Sequence, residues 1–177
     1  MKYIIILSIV ILIILIIVLL FINSKSKFIL LNIKIKEGES NINLALQKKR
    51  VSLNHIIKEI KKKKRDEGKF DDFIKSVDNE NDSFKLHSLL NKYYSQVSKI
   101  LFDYDKLAKD EKILKVLNEI KDNEEELIGS IKFYNDTIVD YNGLLKHFPH
   151  KYVARILGYE EYEFYKNEKE ELFEILK

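Results

Sequence analysis

Residues 134–149 read YNDTIVDYNGLLKHFP, and this stretch decides the fold expected for the chain. Two Tyr-Asn pairs recur in it with a spacing of seven residues, close to two helical turns. The pairs are Tyr134-Asn135 and Tyr141-Asn142. Both tyrosines therefore lie on one face of a helix with both asparagines beside them, and we call these four residues the Tyr-Asn face. Phe148 and Pro149 follow, and because the residue before a proline is pushed out of helical geometry, the helix is predicted to end near His147.

Composition favours helices over sheets. The 177 residues include five glycines, one proline and no tryptophan, so turn signals are few. The length suits one domain plus an appendage. The chain has no cysteine, which excludes disulfides, thiolate metal sites and a cysteine nucleophile. We therefore expect an all-α chain with one core.

Residues 3–22 read YIIILSIVILIILIIVLLFI and carry no charge. Twenty helical residues extend roughly 30 Å, the thickness of the hydrocarbon core of a bilayer. We call residues 3–22 the apolar stretch and predict a transmembrane helix that contacts the lipid bilayer. A cleaved signal peptide is the alternative, but it needs a shorter apolar region and a small-residue cleavage site, which residues 21–25 lack.

More lysines follow the apolar stretch than precede it. Lys2 precedes it, whereas the following segment carries Lys25, Lys27, Lys34 and Lys36. The positive-inside rule assigns the richer side to the cytoplasm. We expect a single-pass protein of the cell membrane with a cytoplasmic C-terminal domain.

Beyond the apolar stretch, apolar residues recur at helical spacing in three segments. The stripes run over residues 42–60, 84–107 and 113–145. Three such helices cannot bury their stripes alone, and their connections are short enough for antiparallel packing. The sequence therefore predicts an elongated antiparallel bundle of three to four long helices behind a single N-terminal transmembrane helix.

The ends of these helices follow from single residues. Residues 28–36 are expected to continue the helix out of the bilayer, Gly38 to weaken it and Ser40 to recap it. Ser83 and Asp110 are expected to cap the second and third long helices. The predicted divisions are an N-terminal tip at 1–2, the transmembrane helix at 3–22, a juxtamembrane connector at 23–39, the bundle at 40–159 and an acidic tail at 160–177.

Charge is divided unevenly along the chain. Residues 25–65 hold 13 Lys or Arg against 3 Asp or Glu, while residues 66–177 hold 17 against 25. Oppositely charged segments can neutralise one another by packing together. We interpret most of the division as internal complementarity, with Glu124, Glu125 and Glu126 as the acidic counterpart of the basic first helix.

Other charged and polar clusters give no specific signal of chemistry. The basic run at 61–65 lacks the interleaved aromatic residues of a nucleic-acid platform, so nucleic acid is not an expected partner. Asp136 and Asp140 lack an accompanying nucleophile. His147 and His150 are separated by a helix-breaking proline and lack a third ligand, so no metal, cofactor or catalytic residue is predicted.

These motifs resemble the LemA family of membrane-anchored bacterial proteins. The matching residues are Tyr134-Asn135, Tyr141-Asn142, Phe148-Pro149, Gly158-Tyr159, Glu124 with Leu127, and the segment 42–49. The chain departs from the family at Asn43, where the family has aspartate, at Asn54, often proline, and at Ile131, often arginine. The resemblance covers most of the chain, the apolar stretch included. It implies long antiparallel helices on a single-pass anchor and implies no enzymatic activity.

The Tyr-Asn face has two interpretations. In the first, the rings fill a seam while phenol and amide groups bond across helices. In the second, the face lines a groove for a partner. The leading hypothesis is a non-enzymatic, membrane-tethered scaffold or interaction module with a protein partner, which could be a second copy of the chain. The alternative is an accessory or regulatory subunit of a membrane protease or transporter that docks through this face, and an enzyme ranks third.

Overall fold

The computed structural model of the chain describes residues 1–63 and 70–166. Within these ranges the regular structure is helical and no strand occurs, which confirms the all-α prediction. The helices are α1 (Lys2–Lys63), α2 (Asp71–Asp78), α3 (Ser83–Asp103), α4 (Asp105–Ala108), α5 (Glu111–Lys146) and α6 (His150–Leu157). The end of the basic run, residues 64 and 65, and the end of the acidic tail, residues 167–177, lie outside the described residues.

Helix α1 runs unbroken from Lys2 to Lys63 and confirms that the helix continues beyond the apolar stretch. The recapping expected at Ser40 was wrong, because α1 runs through Gly38 and Ser40 without a break. A glycine within a helix costs about 1 kcal/mol relative to alanine. Burial of the apolar face outweighs that cost, since tertiary packing supplies most helical stability in proteins.

The apolar stretch makes α1 long and apolar enough to cross a membrane, by length and composition. The side chains of residues 3–20 are all exposed, so the described part of the chain does not cover them. This arrangement differs from that of a core helix in a soluble protein, whose apolar side chains are buried. An exposed apolar surface of this size is typical of a site of membrane or protein contact.

The caps of the later helices agree with the sequence in part. Asp110 caps α5 as predicted, with its Oδ1 accepting from the backbone N–H groups of Lys112 at 3.0 Å and Ile113 at 3.3 Å. The cap expected at Ser83 was wrong, because the Asp82 carboxylate accepts from the Lys85 N–H at 2.9 Å. Aspartate and serine cap comparably well, so local propensity did not separate these neighbours.

Helix α3 is shorter than its apolar stripe predicted. It ends at Asp103, because Tyr104 has non-helical backbone angles of φ −127° and ψ 84°. Leu107, the last residue of the stripe, is carried by the short α4 and is still buried. The predicted end of the third long helix near His147 is confirmed, since α5 ends at Lys146.

The described residues form two compact units. Unit 1 comprises Met1–Glu37 and Phe133–Phe164, and unit 2 comprises the described residues of Gly38–Lys132 together with Tyr165 and Lys166. The core of unit 1 consists of Phe28, Ile35, Ile138, Tyr141 and Ala154. Fully buried side chains of unit 2 include Leu46, Leu53, Ile57, Leu90, Ile113 and Leu127.

Candidate functional site: the Tyr-Asn face

Tyr141 is a core residue of unit 1, with 4% of its surface exposed. Its ring centroid lies 5.4 Å from that of Phe28 and 4.9 Å from that of Tyr162, and both pairs are edge-to-face. Aromatic rings prefer this geometry because the positive edge of one ring meets the negative face of the other. Burial raises the pKa of the Tyr141 phenol to about 12, and the neighbouring Tyr162 and Tyr159 add to the shift.

Asn142 bonds to the segment that follows α6. Its Nδ2 donates to the Tyr162 carbonyl at 2.9 Å, and its Oδ1 accepts from the Tyr162 N–H at 3.0 Å. The Tyr162 hydroxyl in turn donates to Asn32 Oδ1 on α1 at 2.7 Å. The amide of Asn142 therefore satisfies two backbone groups of a segment that has no regular structure of its own.

The other Tyr-Asn pair has a different environment. Tyr134 is partly buried and packs against the core cluster of unit 1. Asn135 has intermediate exposure and lies beside it on α5. Tyr141 and Asn142 contact Tyr162 directly, as described above. Tyr134 lies at the border of the same core.

Phe148 and Pro149 form the corner between α5 and α6. Pro149 directly precedes α6, and the peptide bond before it is cis. Phe148 is 76% exposed, and its ring centroid lies 6.1 Å from that of Tyr152. The corner therefore brings two aromatic rings together on the outside of unit 1.

The two histidines at the corner do not converge on a common point. His147 is exposed, whereas His150 is buried with its Nδ1 2.9 Å from Ser24 Oγ. The Ser24 hydroxyl donates its one proton to the Leu20 carbonyl at 2.7 Å, so His150 Nδ1 is the donor to Ser24. Burial lowers the pKa of His150, and the nearby charge of Lys27 lowers it further.

The carboxylates singled out by the sequence are placed apart from this corner. Asp136 and Asp140 are both exposed on α5. Within residues 1–63 and 70–166, no group of three or more His, Asp or Glu side chains is arranged to hold a metal ion. The sequence motif of the Tyr-Asn face instead leads to a packed aromatic region of unit 1.

The sequence model of the LemA family matches residues 38–175. The chain belongs to the LemA family. The match begins after the apolar stretch, so the family assignment rests on residues 38–175 alone. A search of curated proteins finds no match to this LemA chain.

Sequence reasoning missed two residues of this region of the LemA chain. Phe28 is 1% exposed and contacts Tyr141, Tyr159 and His150, with a ring-centroid distance of 4.9 Å to Tyr159. A signal for Phe28 was present, because it lies seven residues before buried Ile35 and thus on the same helical face. Tyr162 had no such signal, because it lies outside the regular helices.

A cleft of about 370 Å³ opens beside these rings. Its lining comprises Phe28, Ile29, Asn32, Tyr141, Gly158, Tyr159, Glu160, Glu161 and Tyr162. Gly158 ends α6 in the left-handed region at φ 68°, which favours glycine, and its N–H bonds to the Ala154 carbonyl. This turn sends the chain back past Phe28 and so forms one wall of the cleft.

Two ion pairs of unit 2 join the basic first helix to the Glu124–Glu126 run, as predicted. Lys49 is 2% exposed, and its Nζ donates to Glu124 Oε2 at 2.5 Å and to Asn91 Oδ1 at 2.7 Å. Lys48 pairs with Glu126 at 2.7 Å on the surface, where both side chains are about half exposed. The basic first helix therefore contacts the Glu124–Glu126 run.

Proposed function

We propose that this LemA-family chain is a non-enzymatic, single-pass membrane protein that presents a helical-bundle scaffold or interaction domain at the cytoplasmic face of the cell membrane. The observation that carries the proposal is the continuity of α1. The helix leaves the apolar stretch at Ile22 without a break and supplies Phe28 and Ile35, each 1% exposed, to the core of unit 1. The apolar stretch and the core of unit 1 thereby share one continuous helix.

Contacts among the long helices of unit 2 support the bundle arrangement. Buried Lys49 on α1 bonds to Asn91 on α3 and Glu124 on α5, so three helices meet at one ammonium group. Asn123 Nδ2 on α5 donates to the Ala45 carbonyl on α1 at 2.8 Å. Such polar contacts fix the register of packed helices that apolar stripes alone leave free to slide.

The use of the polar groups in unit 1 supports a non-enzymatic role. His150 and Asn142 are the polar side chains near the corner that could take part in a reaction. Both are hydrogen-bonded within the protein, His150 to Ser24 and Asn142 to the Tyr162 backbone. Asp136 and Asp140 are solvated on the surface of α5. A catalytic constellation requires a nucleophile or base aimed at a shared reacting atom, and these residues are used to hold segments together.

Exposed apolar residues of unit 2 support an interaction role. Phe102 on α3 is 89% exposed, and Val51 on α1 is 66% exposed. Phenylalanine is enriched at protein interfaces, where its large area is desolvated by a partner. We expect a protein partner or a second copy of the chain to contact the surface around Phe102.

The alternative of an accessory subunit docked through the Tyr-Asn face has less support. Tyr141 would have to reach a partner, whereas 4% of its surface is exposed. Asn142 would have to release both bonds to Tyr162. The packing favours the structural interpretation of this face.

Site-specific photo-crosslinking in intact cells tests the interaction role. A photoreactive residue at Phe102 is expected to give an adduct of discrete mass, while the same residue at exposed Gln96 on α3 is the matched control. An adduct of twice the chain mass identifies a second copy as the partner. The absence of any adduct at Phe102 contradicts the interaction module. Topology is tested in parallel, because added protease should digest the domain only after the cells are opened.

A further inference from the structure

Three exposed apolar side chains line one side of the α5–α6 corner. Phe148 is 76% exposed, Tyr152 is 60% exposed and Ile156 is 72% exposed. We call these three residues the α6 outer face. They are spaced by four residues, which places Tyr152 and Ile156 on one face of α6, and the Phe148 ring lies beside that of Tyr152. The inner side of α6 is buried through His150, Val153 and Ala154.

Helix α6 lies beside the first turns of α1 after the apolar stretch. His150, its first residue, bonds to Ser24, which follows Ile22 by two residues and so lies about 3 Å along the helix from it. Tyr159, just beyond the end of α6, packs its ring against Phe28. The two ends of α6 therefore contact α1 at Ser24 and Phe28, which are about one helical turn, or roughly 6 Å, apart along the helix axis.

Cations accompany the α6 outer face. Lys151 and Arg155 are exposed on α6, and Lys25 and Lys27 follow the apolar stretch on α1. Over residues 1–63 and 70–166, none of these four cations lies within ion-pair distance of a carboxylate. The neighbouring Lys146, by contrast, pairs with Glu161 at 3.3 Å. The cations beside the outer face therefore remain available to an anionic surface.

From this placement we propose that the α6 outer face is a second membrane contact, which inserts into the interfacial layer of the same bilayer that α1 crosses. The proposal rests on the proposed membrane anchor. Interfacial helices carry aromatic and aliphatic residues on one side and Lys or Arg beside them, and their apolar face lies roughly 5–10 Å into the headgroup boundary. Lys151 and Arg155 would then contact the phosphates of anionic lipids.

The position of α6 near the end of the apolar stretch favours a lipid surface as the partner of the α6 outer face. The hydrocarbon boundary expected at Ile22 lies two residues before Ser24 and six before Phe28, which hold α6, or roughly 3 Å and 9 Å along the helix. Aromatic side chains are enriched at this depth, because a ring can bury its apolar area while a polar end such as the Tyr152 hydroxyl stays hydrated. The second contact would also fix the rotation of unit 1 about the axis of its anchor, which a single transmembrane helix leaves free.

Tryptophan fluorescence tests the proposal, because the chain has no tryptophan of its own. The full-length Tyr152→Trp protein is reconstituted in vesicles of phosphatidylcholine and phosphatidylglycerol, with and without a mixture of lipids brominated near the top and near the end of the acyl chain. Ile33→Trp is the matched control, since Ile33 is 59% exposed and Tyr152 is 60% exposed. Ile33 lies eleven residues past Ile22, roughly 16 Å beyond the expected boundary. Leu12→Trp, within the apolar stretch, reports the anchor itself.

The expected result is loss of fluorescence on brominated lipid for Tyr152→Trp and Leu12→Trp, and unchanged fluorescence for Ile33→Trp. If Leu12→Trp is quenched while Tyr152→Trp behaves like Ile33→Trp, the anchor stands and the second contact is overturned. If Leu12→Trp is also unquenched, the anchor fails and the inference fails with it. A blue-shifted but unquenched emission from Tyr152→Trp assigns the face to a protein partner or a second copy and overturns the lipid contact.

A charge variant separates the headgroup contribution from the apolar one. Lys151→Gln with Arg155→Gln, added to Tyr152→Trp, should weaken quenching in vesicles that contain phosphatidylglycerol. The same pair should leave quenching unchanged in vesicles of phosphatidylcholine alone. Equal quenching of the parent and the charge variant in both lipids would overturn the assignment of these cations to lipid phosphate.

Discussion

The side-chain amide of Asn142 bonds at both of its polar atoms to the backbone of Tyr162, donating to the carbonyl at 2.9 Å and accepting from the N–H at 3.0 Å. This two-point contact holds the chain after α6 against α5. It also fixes the Tyr162 ring at 4.9 Å from that of Tyr141. A single asparagine therefore couples the end of unit 1 to its aromatic core.

Removing that amide should weaken unit 1. Asn142→Ala leaves the Tyr162 N–H and carbonyl without their partner in a partly buried site, and we expect a loss of about 1–3 kcal/mol. The measurement is thermal unfolding of the full-length protein in detergent micelles, followed by circular dichroism. Asp140→Ala, at an exposed position of the same helix, is the control and should change the midpoint little. Equal effects of the two substitutions would show that the Tyr162 contact contributes nothing.

Two neighbouring glutamates should differ in their contribution to unit 2. Glu124→Gln removes the charge partner of Lys49, which is 2% exposed, and should cost roughly 1–3 kcal/mol. Glu126→Gln removes the charge partner of Lys48 at the surface and should cost less than about 1 kcal/mol. Urea unfolding of both variants in the same micelles provides the comparison. A larger loss for Glu126→Gln than for Glu124→Gln would reverse the ranking by burial and refute it.

The buried lysine itself should be replaceable by an apolar side chain of similar length. Lys49→Met with Glu124→Gln removes both charges and keeps most of the volume, and such replacements of buried ion pairs are often neutral or stabilising. We expect the double variant to be more stable than Glu124→Gln alone, because the single change leaves the ammonium without its counterion. A double variant less stable than the single one would show that the ammonium is required for the packing.

Phe28 should contribute more to stability than its exposed neighbour. Phe28→Ala removes a fully buried ring with three aromatic contacts and should cost about 3–5 kcal/mol. Leu30→Ala, two residues along the same helix, truncates a side chain that is 54% exposed and should have a small effect. Thermal unfolding measures both, and Phe28→Leu distinguishes loss of the ring from loss of the whole volume.

His150 should make the folding stability of unit 1 depend on pH. Burial holds the pKa of His150 below its ordinary 6.5, so the unfolded chain binds a proton that the folded chain resists. The neutral imidazole therefore contributes stability above pH 6.5, and this contribution is lost as the pH falls through the folded pKa. We expect the stability of the wild type relative to His150→Asn to fall in acid, as measured by urea unfolding between neutral and mildly acidic pH. His147→Asn, at an exposed histidine, should keep the wild-type profile.

The long helices were predictable because their apolar residues repeat. Leu53, Ile57 and Ile60 follow the helical period along α1. Asp110 indicated the start of α5, because aspartate is a favoured N-cap residue. Lys49 could also have been found as a buried residue, because it falls four residues before buried Leu53 and on the same face. Its charge is typical of a solvated side chain, so the sequence did not predict its burial.

The partners of the Tyr-Asn face were not predictable from pattern. Asn142 bonds to backbone atoms of Tyr162, and backbone atoms carry no sequence signal. The position of Tyr162 depends on the left-handed turn at Gly158, which redirects the chain after α6. Helical periodicity ends at that turn. The sequence could therefore indicate the residues of the Tyr-Asn face without indicating that the segment around Tyr162 packs against them.

In the proposed function, one uninterrupted helix is both the membrane anchor and a core element of unit 1. The most direct test is a nitroxide scan over residues 12–36 of the full-length protein in lipid vesicles, made from single cysteines because the chain has none of its own. We expect oxygen-accessible labels through residue 20, followed by labels at Ser24, Phe28 and Ile35 that are shielded from both oxygen and an aqueous nickel chelate. A loss of helical periodicity between residues 22 and 28, or nickel access throughout the apolar stretch, would contradict it.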